Sequence, residues 1–538
     1  MIPDTAARET TAQGVGSAGG RPSLAVFVLI AVVACAVSLG VFLRFSLISS
    51  GSLWLDELWT LDAVSRSFRE MIGARLVSDQ SPPLWTVLTW AWLQVAGTYE
   101  TGVVRSLATG FSLVAIAAPL FGAAWMPRLR PTLLVMAAVL ALSLFPVQYA
   151  VELRAYSLML GLGSAATVIW VGLLTGDLPS TARWIFLFCF IGALAGFGHY
   201  YGNLLYVCEL AVLLVAWAVS RHRRSLYILA GWGATSLVPV VAWFVLTRRW
   251  APNLAVASAP SIAELETWLT YAFSPITPLL AGQPPGYPDG SPGIGGLLFV
   301  LVLVALGGAV AFRRLRPDQP VAAQPVARVG VAAAAVVLLG IAGAWTLSVL
   351  MPPSMNTRNL ASLLPALFLG VAAAATALPG PRLAWWTGAA TAGIWLVASI
   401  AFLVGYGVSA LTPPWQQEAG YRDAARVLLA SAGEDPPPAV IGLKTSWDWH
   451  GQWDAVLRAE LGARPATSTD TAPLPVQWIS GIGELPASPP DGPIIVFSEL
   501  FNAQSASLFE WAEAVRGPCE RHTFGNAAYS TIELRRCP

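Results

Sequence analysis

Long runs of apolar residues, separated by short polar segments, fill most of the chain between residues 24 and 407. Eleven of these runs approach or exceed the roughly 20 residues with which an α-helix crosses a bilayer. They predict eleven transmembrane helices, at 24–43, 104–125, 131–149, 157–175, 183–199, 203–220, 226–247, 294–312, 329–351, 358–379 and 384–407. Residues 1–22 are rich in Gly, Ser, Thr and Ala and predict a disordered cytoplasmic tail.

A further apolar stretch, residues 82–96, is short and contains three tryptophans. The positive-inside rule decides whether it crosses the membrane. With eleven spans and a cytoplasmic N-terminus, most arginine-rich loops fall on the cytoplasmic side. These arginines are Arg128, Arg130, Arg183, Arg221, Arg223, Arg224, Arg313, Arg314, Arg316, Arg328 and Arg382. A crossing at 82–96 would move them all outside, so we interpret this stretch as a re-entrant or interfacial segment.

This topology places three segments at the outer face. They are the first loop, 44–103, in which Arg44 is counted as a loop residue, the second large loop, 248–292, and the chain after residue 410. Residues 23–410 therefore predict one transmembrane domain.

The composition changes in the C-terminal segment, 411–538, which holds 15 of the 30 acidic residues but only 9 of the 31 basic ones. Short strands are predicted at 440–444, 494–498 and 530–534, and helices at 417–429, 453–461 and 503–515. This alternation indicates a small extracytoplasmic α/β domain. An oxidising compartment would permit a disulfide between Cys519 and Cys537, the two cysteines of this segment.

The composition of the whole chain excludes several classes of protein. Of its 538 residues, 56% are hydrophobic and 11% charged, with a mean hydropathy of +0.63. Soluble domains carry about 25% charged residues. A soluble cytosolic enzyme, a nucleic-acid-binding protein and a disordered protein are therefore excluded. The net charge of +1 favours no partner, and the five cysteines show no zinc-site spacing.

Ionisable residues near the ends of the spans are the candidates for chemistry, because a membrane protein retains few such groups at membrane depth. Asp56 and Glu57 lie between Trp54 and Trp59 and are the candidate catalytic carboxylates. Taken alone, this pair also fits a solvated acidic loop.

Two more groups lie in outer segments of the predicted topology. Asp79 precedes Pro82 and Pro83, which prevent a helix from beginning earlier. Residues 152–156 bring together Glu152, Arg154 and Tyr156, which offer a carboxylate, a guanidinium fork for phosphate and a hydroxyl. A turn and a self-neutralising loop pair are the simpler alternatives.

The remaining candidates lie at the outer ends of later spans. They are His199 with Tyr200, Arg358 within 356–359, and the pair Arg248 and Arg249. The arginines also fit interfacial anchors.

All of these groups fall on one side of the membrane under a single topology. They predict an outer cavity in which arginines bind a phosphate, a carboxylate accepts a proton and aromatic rings contact a sugar. An anionic lipid head group carrying a sugar matches this chemistry.

These residues also resemble the motifs of the GT-C glycosyltransferases that use polyprenyl-phosphate sugars. That family includes protein O-mannosyltransferases, lipid A aminoarabinose transferases and Rgt-type galacturonosyltransferases. The resemblance covers residues 24–410. It rests on Trp54–Glu57 (W-x-D-E), Asp79–Leu84 (D-x-H-P-P-L), Glu152–Tyr156 (E-x-R-x-Y) and Asn356–Pro365 (R-x-L…LLP).

The resemblance implies a GT-C-type fold and assigns roles to single residues. Asp56 would be the catalytic base, and Glu152, Arg154 and Arg358 would help to form the donor or metal site. A divalent cation held by Asp79 and Glu152 is possible, although the sequence requires no cofactor. Ser81 stands where the family often has His or Lys, so a cation or metal role does not carry over to that position.

The expected reaction is a single displacement with inversion at the anomeric carbon, on the outer face of a bacterial-type cytoplasmic membrane. The expected partners are a polyprenyl-phosphate-linked sugar, membrane lipid, and an envelope glycan, lipid or protein as acceptor. Two alternatives remain open at this stage. One is a non-enzymatic flippase or transporter of polyprenyl-linked glycans, and the other is a glycan ligase.

Overall fold

The computed structural model describes residues 23–51, 53–78, 81–220, 222–248, 260–281, 294–314, 324–350, 355–378, 380–412, 421–431, 438–443, 476–479, 484–486, 490, 493–499, 505–526 and 530–538. The helices up to residue 406 are α1 (Leu24–Leu47), α2 (Leu55–Ser65), α3 (Phe68–Ser78), α4 (Leu84–Ala96), α5 (Thr101–Trp125), α6 (Arg130–Leu142), α7 (Leu144–Tyr149), α8 (Tyr156–Thr175), α9 (Ala182–Gly198), α10 (Tyr200–Val219), α11 (Arg223–Arg248), α12 (Ile262–Ala272), α13 (Ile276–Ala281), α14 (Ile294–Arg314), α15 (Gln324–Leu350), α16 (Thr357–Leu360), α17 (Leu364–Thr376) and α18 (Pro381–Tyr406). The predicted disordered tail, 1–22, lies outside the described residues.

In the described residues, each of the eleven predicted spans overlaps one or more helices. Eight helical segments of the described chain are long and apolar enough to cross a membrane, and α16 and α17 together form one of them. The other three predicted spans are α6 with α7, α9 and α14, whose apolar helical parts have fewer than 18 residues. The protein is thus a polytopic α-helical membrane protein, and the total of eleven spans stays a prediction.

The first outer loop contains three short helices, α2, α3 and α4, where the sequence predicted one segment. Helix α4 has 13 residues, which makes it about 20 Å long, shorter than the roughly 30 Å hydrocarbon core. It follows Pro82 and Pro83 and ends at Gly97, whose φ of 66° closes the helix with a hydrogen bond to the Leu93 carbonyl. This length agrees with a segment that does not cross.

The predicted span 131–149 is broken at Ser143, which has extended backbone angles between α6 and α7. In a continuous helix the Leu144 N–H would donate to the Leu140 carbonyl, but it donates to the Ser274 carbonyl instead, at 3.3 Å. The break therefore leaves carbonyl groups at the end of α6 that need other donors.

Arg44 supplies these donors. Its buried guanidinium donates to the carbonyl oxygens of Leu140 and Ala141, at 3.1 and 2.7 Å, and to Ser112 Oγ of α5 at 2.8 Å. Arg44 was predicted to lie in the first outer loop, and that prediction is wrong. Arg44 belongs to the last turn of α1, and its side chain is fully buried. There it completes the backbone hydrogen bonds at the broken end of α6.

Several connections meet at the end of the bundle where α1 ends. We call this end of the bundle the site end. The first outer loop, the connection 150–155, helix α12 and the start of α16 lie there. The chain after α18 begins there too, since Thr412 Oγ1 lies 3.1 Å from Ser50 Oγ and Arg422 donates to the Ser49 carbonyl. The described arginines that the sequence predicts to be cytoplasmic lie at the opposite end of the bundle. Which compartment each end faces stays a prediction.

The C-terminal segment contains a five-stranded sheet and two helices, α19 (Tyr421–Ser431) and α20 (Ser505–Arg516). The strands are β1 (Ala439–Leu443), β2 (Val476–Ile479), β3 (Ile494–Glu499), β4 (Glu520–Asn526) and β5 (Ser530–Cys537), in the order β2-β1-β3-β5-β4. The β1 pairs are parallel and the β5 pairs antiparallel.

The two faces of this sheet are covered by different helices. Ile495 faces a cluster that includes Leu428 of α19, and its neighbour Ile494 faces Leu508 of α20. This alternation along one strand is the two-residue period of β-structure. A disulfide joins Cys519 and Cys537, the pair for which the sequence permits one. The predicted helix 453–461 lies outside the described residues, and β2 and β4 were not predicted.

We expect Arg44→Met to lower the free energy of unfolding by several kcal/mol. The thioether cannot donate, so the carbonyl groups of Leu140 and Ala141 would stay buried without partners. Thermal unfolding in detergent, followed by tryptophan fluorescence, measures the effect. Arg382→Met, at an exposed position of α18, is the control. Equal stability of the two variants would contradict the structural role of Arg44.

Candidate active site

Three elements of the site end bring together side chains that are distant in sequence. Asp56 lies in the first turn of α2, Arg154 in the connection 150–155, and Arg358 in the short helix α16. Arg358 Nη1 lies 3.3 Å from Asp56 Oδ2, and Arg154 Nε lies 3.9 Å from the same oxygen. Three of the predicted residues thus form one cluster.

This cluster is accessible without being fully solvated. The side chain of Asp56 is 28% exposed and those of Arg154 and Arg358 are each 21% exposed. The Arg358 guanidinium also lies over the Trp54 ring, 4.5 Å from its centroid, in a cation–π contact. A ligand at this position would meet one carboxylate, two guanidinium groups and an aromatic face.

The start of α16 is fixed by two side chains. Asn356 caps the helix by accepting from the Asn359 N–H at 2.8 Å. Glu264 of α12 accepts from the Thr357 N–H and hydroxyl. Because Thr357 precedes Arg358 directly, these bonds orient the Arg358 backbone. Glu266, also on α12, accepts from the Gly296 N–H at the start of α14.

Glu57 lies next to Asp56 in sequence but faces the interior. Its carboxylate forms a two-pronged ion pair with Arg105 of α5, at 2.7 and 2.8 Å, and both side chains are fully buried. It also accepts from the backbone N–H groups of Leu153 and Trp54, at 2.9 and 3.3 Å. This bonding suits a residue that holds the first outer loop against the connection 150–155.

Arg105 is not among the site residues predicted from the sequence. The available signal was an arginine inside the predicted span 104–125, where an ionisable residue is a functional candidate by default. Its partner could not be identified, since the two residues are separated by 48 positions.

Two polar side chains below Arg358 have no hydrogen-bond partner among the described residues. The two carboxylate oxygens of Glu152 and the hydroxyl of Tyr149 are buried and accept or donate no hydrogen bond among these residues. Glu152 lies in the connection between α7 and α8, and burial, partly offset by Arg358, raises its pKa from 4.5 to about 8. Burial therefore favours the protonated, neutral form of Glu152.

Aromatic rings line the same region. The ring centroid of Tyr149 lies 4.7 Å from that of Tyr156 and 5.3 Å from that of Phe145, on which it stacks. Phe145 in turn stacks on Tyr271, with a centroid distance of 4.9 Å. His199 lies 5.5 Å from Tyr156 and caps α10 by accepting from the Tyr201 N–H.

Comparisons with known proteins bear on the fold. No family model matches the chain, and no curated protein matches its sequence. The crystal structure of ArnT from Cupriavidus metallidurans in the apo state does match, with a TM-score of 0.51 and 13% sequence identity over 94% of this chain and 98% of that chain. The chain has a GT-C-type fold. At this identity the likeness concerns the fold alone.

A second solved structure, the oligosaccharyltransferase of Archaeoglobus fulgidus in complex with Zn and sulfate, shows 12% identity over 80% of this chain and 61% of that chain. Its TM-score of 0.31 is too low to carry an argument.

Within this GT-C-type fold, the remaining predicted residues are placed as follows. Tyr200 packs edge-on against Phe244 of α11, at 5.5 Å. Arg248 ends α11, and its side chain lies outside the described residues, as do Asp79 and Arg249.

In the described part of the chain, no group of three or more His, Cys, Asp or Glu side chains could hold a metal ion. Of the two other carboxylates near Asp56, Glu57 is paired with Arg105 and Glu152 is fully buried. The described residues thus do not fit a metal centre, and the pairing of Asp79 with Glu152 stays a prediction.

We expect Glu57→Gln and Arg105→Met each to lower the free energy of unfolding by about 3–5 kcal/mol, because each leaves a buried charge without its partner. The double variant Glu57→Gln/Arg105→Met should lose less than the sum of the two. Thermal or denaturant unfolding of all four proteins in detergent completes the cycle. Additive losses would contradict a direct coupling between the two residues.

We expect the stability of the native protein to fall as the pH rises through about 8, because the raised pKa of Glu152 lies above its value in the unfolded chain. Between 4.5 and 8 the native state holds a proton that the unfolded state has released, so stabilisation is greatest at low pH and is lost as Glu152 ionises. Unfolding temperatures of the wild type and Glu152→Gln from pH 6 to 9 test this. A constant difference between the two proteins over that range would contradict it.

Proposed function

We propose that this protein is a membrane glycosyltransferase that moves a single sugar from a polyprenyl-phosphate donor to an envelope acceptor, which is a glycolipid, a polysaccharide or a protein. The observation that carries the proposal is the position of Asp56 between Arg154 and Arg358, at the ends of apolar helices in a GT-C-type fold. In the proposed topology this end faces outward from the cytoplasmic membrane.

The two guanidinium groups are suited to bind the donor phosphate. Arginine presents a planar fork that matches phosphate oxygens, and both side chains remain partly exposed. Their contacts with Asp56, at 3.3 and 3.9 Å, are longer than strong charge-assisted hydrogen bonds. A bound phosphate can therefore take over these donors without breaking a tight ion pair.

The reaction requires one base and no general acid. Asp56 accepts the proton of the acceptor hydroxyl while the hydroxyl oxygen attacks the anomeric carbon. The bond between that carbon and the phosphate oxygen breaks, and the polyprenyl phosphate leaves with the electron pair. Arg154 and Arg358 stabilise the charge that develops on the leaving oxygen. Attack opposite the leaving group inverts the anomeric carbon.

Glu57 takes a positioning role in this scheme rather than the catalytic one considered beside Asp56. Its carboxylate is fully buried and already bonded to Arg105 and to two backbone N–H groups. It holds the first turn of α2 in place, and so it positions Asp56 next to Arg154.

We expect Asp56→Asn to lower sugar transfer by about 10²–10⁴-fold, the usual contribution of a general base. The measurement is mass spectrometry of envelope glycans and glycolipids from a deletion strain carrying each variant. The wild type should restore the one sugar that the deletion removes, and Asp56→Asn should not.

Asp62→Asn is the matched control, because Asp62 lies on the same helix and pairs with exposed Arg66 instead. It should restore the sugar fully. Full restoration by Asp56→Asn would remove Asp56 from the mechanism. A deletion that blocks movement of lipid-linked glycan while every sugar linkage persists would favour a transporter.

A further inference from the structure

The buried polar groups below Arg358 are unsatisfied by the protein itself. Glu152 is 0% exposed and Tyr149 is 1% exposed. No described residue bonds to either carboxylate oxygen of Glu152 or to the hydroxyl of Tyr149. Each buried polar group left without a partner costs about 1–3 kcal/mol. A ligand that supplies the missing partners would remove this cost.

The two groups share one place in the site. The Glu152 N–H donates to the Tyr149 carbonyl oxygen at 3.4 Å, and the charge of Arg358, the proposed phosphate-binding residue, acts on both side chains. A ligand whose phosphate lies at Arg358 would therefore present its next atoms to Glu152 and Tyr149. In the proposed donor those atoms belong to the sugar.

The chemistry of the groups matches sugar hydroxyls. Each hydroxyl of a sugar both donates and accepts a hydrogen bond, and so do a tyrosine hydroxyl and a protonated carboxyl group. The ring of Tyr149 packs against those of Tyr156 and Phe145, with centroid distances of 4.7 and 5.3 Å, so its hydroxyl rather than its ring face is the group that can meet a sugar.

The charges of the site restrict the kind of sugar. Glu57 and Arg105 neutralise each other, so the cations that remain near the ligand are Arg154 and Arg358. One of these charges is balanced by Asp56 and the other by the donor phosphate. A carboxylate on the sugar would find no further cation among the described residues of this cluster. Burying an unpaired charge is costly.

We propose that Glu152 and Tyr149 form the sugar subsite of the donor site, that they bind an uncharged sugar through its hydroxyl groups, and that the subsite rejects uronic acids. This inference rests on the proposed function and narrows it to one class of donor. Glu152 acts here as a neutral donor and acceptor, so Gln can replace it and Leu cannot.

The test is a binding measurement on the purified full-length protein, which needs no knowledge of the acceptor. Three probes share one short polyprenyl chain: the bare polyprenyl phosphate, the same lipid carrying a neutral hexose, and the same lipid carrying a uronic acid. The ratio of the Kd values for the bare and hexose-bearing lipids isolates the contribution of the sugar.

In the wild type the hexose-bearing lipid should bind about tenfold or more tightly than the bare lipid, and the uronic-acid lipid should bind no better than the bare lipid. Tyr149→Phe and Glu152→Leu should lose the tenfold preference while keeping the affinity for the bare lipid. Glu152→Gln should retain the preference. Tyr406→Phe, on α18, is the matched control for removal of one hydroxyl.

Equal affinity of the wild type for all three lipids would overturn the sugar subsite and leave the proposed function standing. The same holds if Tyr149→Phe and Glu152→Leu keep the wild-type preference, or if the uronic-acid lipid binds as tightly as the hexose lipid. No binding of any polyprenyl phosphate would instead overturn the proposed function, and this inference with it.

Discussion

The arrangement of the site depends on one buried ion pair. Glu57 and Arg105 are both withdrawn from solvent, so each needs the other to offset its lost hydration. The same carboxylate binds the Leu153 N–H, which lies between Glu152 and Arg154 in the sequence. One side chain therefore joins the first outer loop, helix α5 and the connection that carries the candidate donor-site residues. Asp56 faces Arg154 because its neighbour is held in this way.

Much of the membrane fold could be predicted from the sequence, because the bilayer demands long apolar helices and hydropathy reports them directly. The break at Ser143 was not predicted, although Pro146 lies three residues further on and lacks the N–H that a continuous helix would bond to the Leu142 carbonyl. The donor Arg44 could not be predicted, since it lies 97 positions from Ala141. Helices α2 and α3 were missed for a related reason. They are short and half polar, and their stability comes from packing against the bundle rather than from their own pattern.

The membership of the site was partly predictable for a topological reason. Alternating spans bring the outer connections to one end, so Asp56, Arg154, Tyr156, His199 and Arg358 were expected to lie together, and they do. Their individual partners were not predictable, because Arg105 and Glu264 act across 48 and 93 positions of sequence. Sequence patterns also gave no indication that Tyr149 would lie buried beside Glu152.

Helix α12 places two carboxylates, two residues apart, on the starts of two other helices. Glu264 binds the amide that begins α16, and Glu266 binds the Gly296 amide near the start of α14. Negative charge at these positions complements the helix dipoles, so the attachment is electrostatic as well as hydrogen-bonded. Glu264 makes its contacts to Thr357, the residue directly before Arg358, so a tilt of α12 would move the arginine that is proposed to bind the donor phosphate.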